Sequence, residues 1–402
     1  MEQMILQDIC KVYDCPHTTA KDEGIGIPLV RTPNIGKGRL LLTNAHRVNS
    51  DIYQERTRRA IPEEDDIIIA REAPVGNAAI IQMGQKVCLG QRVVLLKPIR
   101  DRVDPNYLVY YLLSDEIQHR LRIHANGAVV AHLNMADIRN LPVSLPSLSE
   151  QKKIGRVLKI IDDKIELNRR INDNLEQQAQ ALFKSWFVEK PNPQWTKGSL
   201  SDIASFVGGY SYKGDELVDS SNTGMATIKN YNRSGGFKTD GFKAINPSDK
   251  VKNAQYAELF EILVAHTDLT QNAEVIGNAE LVLSLGEYNK IIFSMDLVKV
   301  LPSSSFPYRF LIAAMLKNKL FKGHCQGYVN GTTVLHLNKK ALPEYKVMIP
   351  TDTEAKKMNE ILGGYYKRMS ENLKESDMLE QLRDTILPKL MSGELKINDL
   401  NC

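Results

Sequence analysis

Cysteines and long apolar runs are scarce in this chain, and each scarcity narrows what it can be. The cysteines are five and therefore odd in number: Cys10, Cys15, Cys88, Cys325 and Cys402. Such a set suits a reducing cytosol better than a disulfide framework. Cys10, Cys15 and His17 come nearest to a metal site, but a second Cys-x-x-Cys and a fourth ligand are missing, so ordinary thiols and no metal are expected. No apolar run approaches the ~18–20 residues that span a bilayer. The opening MEQMILQDIC carries acidic residues and no long apolar region, so no signal peptide and no membrane partner are expected, and the location reads as cytoplasmic. Charge of one sign is barely in excess: 52 Lys and Arg against 48 Asp and Glu give a net charge of +4. That balance permits nucleic acid as a partner without demanding it.

Catalytic signatures are lacking as well. A DNA amino-methyltransferase holds its flipped base in an (Asp/Asn)-Pro-Pro-(Tyr/Phe) loop. Asn192-Pro193-Gln194-Trp195 and Asn246-Pro247-Ser248-Asp249 both lack the second proline and read as turns. Gly36-Lys37 lacks the upstream glycine and the following hydroxyl of a phosphate-binding loop. Glu344-Tyr345-Lys346 stands alone, without the clustered carboxylates of a metal nuclease. The chain is therefore expected not to be an enzyme.

What is present is an internal repeat. Asn126-Gly127-Ala128-Val129-Val130-Ala131-His132-Leu133-Asn134 returns as Asn330-Gly331-Thr332-Thr333-Val334-Leu335-His336-Leu337-Asn338, 204 positions later. The offset holds without a gap onward: Pro146 with Pro350, Glu150 with Glu354, Lys152-Lys153 with Lys356-Lys357, Leu158 with Leu362, Asn168 with Asn372, and Leu175-Glu176-Gln177 with Leu379-Glu380-Gln381. A fixed offset over that length marks a duplicated unit. The segments ahead of each copy agree much less. Each still carries two strand-like runs, 66–70 and 92–96 in one, 261–265 and 297–301 in the other, then a helix-like stretch at 107–113 and 310–316. The expected division is a variable α/β domain (1–146), a helix (147–190), a second variable domain (191–350), a second helix (351–392) and a tail (393–402).

Both helix starts are spelled out. Ser147 and Glu150 after Pro146, and Thr351 and Glu354 after Pro350, have the capping-box spacing that satisfies orphan N–H groups. The first helix should stop before Pro191 and Pro193; the second should stop or kink at Pro388, with Gly393 just beyond. Ile154, Leu158, Ile161, Ile165, Asn168, Asn172, Leu175, Ala179, Leu182 and Trp186 alternate four and three apart, which is a heptad seam. The matching positions are Met358, Leu362, Tyr365, Met369, Asn372, Ser376, Leu379, Arg383, Ile386 and Leu390. If the helices pair antiparallel, the polar centres Asn168/Asn172 and Asn372/Ser376 meet, which weakens the pair but fixes its register. The expected fold is α/β (α+β): two globular domains separated by an antiparallel coiled coil, with a pseudo-twofold internal repeat. A helix of about 38 residues would span ~57 Å, enough to set two domains about one ~34–36 Å duplex turn apart.

These same residues resemble a known family. Leu145 to Ile154, Asp162 to Asn172 and Ala179 to Phe187 resemble the central conserved region of type I restriction-modification specificity subunits. Leu387-Pro388-Lys389-Leu390-Met391-Ser392-Gly393-Glu394-Leu395 resembles their C-terminal conserved region. The second helix departs from the first at Gly363-Gly364, which stand where Lys159-Ile160 stand, so a weak point or kink is expected there. The resemblance implies that each variable domain is a target-recognition domain reading half of a bipartite, asymmetric double-stranded DNA target. It implies that the helices bind methyltransferase subunits, two of them, and that restriction subunits then join. S-adenosylmethionine, ATP and magnesium would belong to those partners, with no cofactor bound by this chain.

Base reading needs polar side chains on exposed loops. In the first domain the candidates are Arg31, Thr32, Asn34, Lys37 and Arg39 in a Gly-rich stretch, then Arg71 and Asn77 after the first strand run. In the second they are Lys229, Asn230, Asn232 and Arg233, then Thr267, Thr270, Gln271 and Asn272. His132 and His336 recur in both copies, so they are read as part of the frame. The remaining alternative is a coiled-coil scaffold whose two domains bind protein and no DNA.

Overall fold

The computed structural model describes residues 2–124, 132–233, 235–270 and 272–397. The chain divides into two compact units: Met1–Lys164 with Leu379–Cys402, and Ile165–Met378. Each unit takes in one variable domain and a stretch of each long helix.

In the first unit the strand-like runs lie side by side. A five-stranded sheet has the order Cys10–Asp14, Val93–Pro98, Ile67–Ala70, Ala78–Ile80, Gly38–Arg39. Its pairings are antiparallel except the last, and Ile67 stands opposite Leu96. Ile67–Ala70 is buried along its whole length, and the period-two pleat explains why a strand can be apolar throughout. Ile67 and Ile69 join the cluster of the Pro105–Leu113 helix, whereas Ile68 and Ala70 join the opposite cluster of Val30, Ile35 and Leu40. The second unit repeats the device. Ala204–Gly208, Leu297–Pro302, Ile262–Ala265 and Ala279–Leu281 follow the same order. Ile262 and Val264 face one core, and Leu263 and Ala265 face the other.

The long helices are Leu148–Lys184 and Asp352–Ser392. Both capping boxes form: Glu150 accepts from the Ser147 amide (3.1 Å) and hydroxyl (2.6 Å), and Glu354 from the Thr351 hydroxyl (2.7 Å). The first helix closes in a π turn, Ser185–Glu189, ahead of Pro191. The second does not stop at Pro388. It runs through the proline to Ser392 and ends at Gly393, whose φ of +76° is the left-handed C-terminal conformation glycine favours. Nor does it break at Gly363-Gly364, both of which are helical.

Within the first unit Ile154 and Leu158 share a core with Leu390, and Ile161 is buried. The Asp162 carboxylate accepts from the Tyr110 hydroxyl (2.6 Å) and pairs with Arg383 (2.8 Å). Within the second unit Asn168 Nδ2 donates to the Asn372 carbonyl (3.3 Å), to Glu375 (2.8 Å) and to Ser376 (3.3 Å). Asn372 Nδ2 donates to Asn172 (2.8 Å), and Asn172 to the Met369 carbonyl (3.1 Å), so these segments run antiparallel. Ile165, Leu175, Leu182, Leu379 and Ile386 are half-buried; Met358, Leu362 and Met369 are buried. Tyr366 is buried where the heptad places Tyr365, because the helix there also faces the domain through Phe310. Among the described residues no helix is long and apolar enough to cross a membrane.

Candidate nucleic-acid interface

The two Gly-rich stretches fold into the same local arch. In the first domain a 3-10 turn covers Thr32–Asn34. Asn34 accepts from the Arg31 amide (3.1 Å) and donates to the Leu41 carbonyl (3.2 Å). In the second the turn is Ile228–Asn230. Asn230 accepts from the Thr227 amide and donates to the Lys238 carbonyl, both at 2.8 Å. Both asparagines are buried with these bonds made. They build the arch, and their polar atoms are not presented to a ligand.

The other first-domain candidates divide between surface and interior. Lys37 is exposed, and Arg31 and Thr32 are half-buried. Arg39 pairs with Asp163, which also takes Lys159 (2.5 Å). Arg71 points inward: it pairs with Asp14 (2.9 Å), donates to the Leu133 carbonyl (2.9 Å) and meets His132 (2.9 Å). Asn77 donates to the Ile35 carbonyl (3.0 Å), which ties the second loop to the arch. Cys10 and Cys15 are buried thiols, and His17 sits on Asp14 (3.1 Å).

In the second domain Lys229, Asn232, Arg233 and Asn272 are exposed, and Gln271 lies outside the described residues. Thr267 is buried, with its hydroxyl 3.4 Å from His336. Arg233 pairs with Glu274 (3.1 Å). Thr270 is fixed by Asp268, which accepts its amide (2.8 Å) and hydroxyl (2.9 Å) and also the Val275 amide (2.7 Å). Burial opposes ionisation of Asp268, but the Val275 and Thr270 hydrogen bonds outweigh it and hold the carboxyl below its usual range.

The two candidate stretches meet here. They line one cavity of about 470 Å³, to which Lys229, Arg233 and Thr270 contribute. Lys238, Asp240 and Lys243 complete the wall, and sequence reasoning did not single them out. A signal was available: Gly236-Phe237-Lys238 and Gly241-Phe242-Lys243 repeat the same triplet, interleaving aromatic and cation. The rings explain the spacing, since Tyr231, Phe237, Phe242 and Tyr288 form successive edge-on contacts at 5.6, 5.7 and 5.9 Å.

Residues 1–177 and 192–381 match the family described as type I restriction modification DNA specificity domain. A type I restriction enzyme MjaIX specificity subunit of Methanocaldococcus jannaschii is 24% identical over 374 residues, covering 88% of this chain and 82% of the relative. The HindI specificity subunit of Haemophilus influenzae is 30% identical over 152 residues, covering 37% of this chain and 33% of the relative. The crystal structure of a type I restriction-modification S subunit from M. genitalium aligns with a TM-score of 0.58 at 17% identity, over 97% of this chain and 95% of that one. That likeness speaks to the fold alone.

Proposed function

The chain belongs to the type I restriction-modification DNA specificity family, whose members are non-catalytic components of such complexes, and from that premise we propose that it reads a bipartite double-stranded DNA target, one half per variable domain. The observation that carries this reading is the meeting of residues 229–233 and 268–270 around one cation-lined cavity of the second domain. Cations at the mouth of such a cavity meet phosphates, and polar loop residues reach base edges. The long helices are proposed to pair as an antiparallel coiled coil that carries the methyltransferase subunits, two of them, with the restriction subunits joining afterwards. S-adenosylmethionine, ATP and magnesium are proposed to act in those partners.

Methylation mapping of a host genome, with and without this chain and alongside its methyltransferase partner, tests the reading. A methylated bipartite motif that depends on the chain is the expected result. Absence of any salt-dependent duplex binding by the assembled methyltransferase would overturn it, and would favour a scaffold whose domains bind protein.

A further inference from the structure

The cavity of the second domain has two unlike walls. One comes from residues 228–233 and 238–243, stiffened by the Asn230 arch and the edge-on rings, and it carries Lys229, Lys238 and Lys243 together with Asp240. Among the described residues none of these three lysines has an ion-pair partner, and Lys229 and Lys238 are exposed. The other wall is Asp268–Thr270, where the carboxylate of Asp268 accepts the amides of its own loop and makes no ion pair with the lysines. Arg233 differs from the lysines, because Glu274 holds it at 3.1 Å.

We infer that this cavity is where the second domain grips the phosphodiester backbone of duplex DNA, with Lys238 and Lys243 as positioning residues. The inference rests on the DNA-reading proposal and adds the contact class and the residues. The three lysines outnumber the two lining carboxylates, Asp240 and Asp268, and leave a positive excess around a concave surface, although the chain as a whole carries only +4. Lysine is a point charge on a flexible stem, suited to neutralising phosphate and not to fork-like recognition of a base edge. Contacts of that kind fix register on the duplex and carry no sequence information. The volume of about 470 Å³ also falls in the range of small-ligand clefts. A free phosphate compound therefore shares the chemistry, and the experiment separates the two sources.

The test uses the full chain assembled with its methyltransferase subunits. Anisotropy titrations compare a duplex bearing the mapped target with a scrambled duplex between about 50 and 200 mM salt. For the double variant Lys238→Ala/Lys243→Ala, affinity should fall by the same factor on both duplexes. The slope of log K against log salt should shrink by about 1.8, about 0.9 for each phosphate left without its lysine. Lys238→Arg/Lys243→Arg should restore the slope, which a merely structural role would not require. An unchanged slope, or a loss confined to the target duplex, would overturn the inference while leaving DNA reading intact. Binding of inorganic phosphate that the alanine variant abolishes, with duplex binding untouched, would also overturn it in favour of a free phosphate site. Absence of duplex binding by the unaltered assembly would instead remove the proposal on which the inference rests.

Discussion

Asn34 and Asn230 hold the same place in two domains whose sequences agree little. Each closes a 3-10 arch by accepting one amide and donating to one carbonyl several residues away. Their polarity and glycine-rich setting read as binding loops, because turns and recognition loops draw on the same residue types. Burial was the fact that composition could not supply. Gly363 and Gly364 make the matching point about small residues. A Cβ at Gly363 would lie 2.9 Å from the Phe310 ring, whereas one at Gly364 would meet nothing. The neighbours therefore predict opposite signs. Gly364→Ala should stabilise by roughly 0.5–1 kcal/mol through backbone entropy. Gly363→Ala should destabilise by about 1–3 kcal/mol, because the ring must move within a packed core. Urea denaturation of the two single variants decides the matter, and equal shifts would show that Phe310 relaxes freely.

At the scale of the element, the sequence spelled out the helix starts, since capping is a local rule. Tyr366 and Phe183 escaped the heptad because a third surface, the domain, also claims the helices. The polar centre has a measurable consequence. Asn168 and Asn372 are buried, and both side-chain carbonyl oxygens lack a partner among the described residues. Replacing both by leucine should raise the urea midpoint while relaxing the register, because imperfectly satisfied buried amides specify more than they stabilise. An unchanged or lower midpoint would show that the amides stabilise the pair. The second helix start also gives a pH dependence. Hydrogen bonds from the Thr351 hydroxyl, then Asn192 (2.9 Å) and Trp195 (2.8 Å), pull Glu354 down to about 2. The folded value is depressed, so its contribution is present above the unfolded carboxyl value near about 4.3 and is lost as pH falls toward about 2. Glu354→Gln should flatten that part of the stability profile between about pH 4.5 and 2. A profile that keeps its full slope would assign the acid sensitivity to other carboxylates.

For the whole molecule, the question is where one variable domain ends. The repeat suggests exchanging residues 195–345 as a module, yet the second compact unit is Ile165–Met378 and includes parts of both long helices. The reason is visible at Lys317. It is buried between Glu280 of the domain and Glu176 of the first long helix (3.0 Å). Burial disfavours its charge, but the two carboxylates outweigh that and keep it protonated. Ser370 of the second helix donates to the Leu283 carbonyl (2.6 Å), a further tie across the same seam. A foreign domain lacking the lysine would leave the half-buried Glu176 without its cation, at a cost of about 1–3 kcal/mol. Exchange of 195–345 should therefore lower thermal stability unless the incoming domain supplies Lys at the position of 317, whereas exchange of 165–378 should not. Thermal melts of the two hybrids and of Lys317→Met check this. A Lys317→Met chain that melts with the unaltered one would remove the argument. On the DNA-reading proposal both hybrids should change one half of the methylated motif and leave the other. A change in both halves would mean that the domains do not read independently.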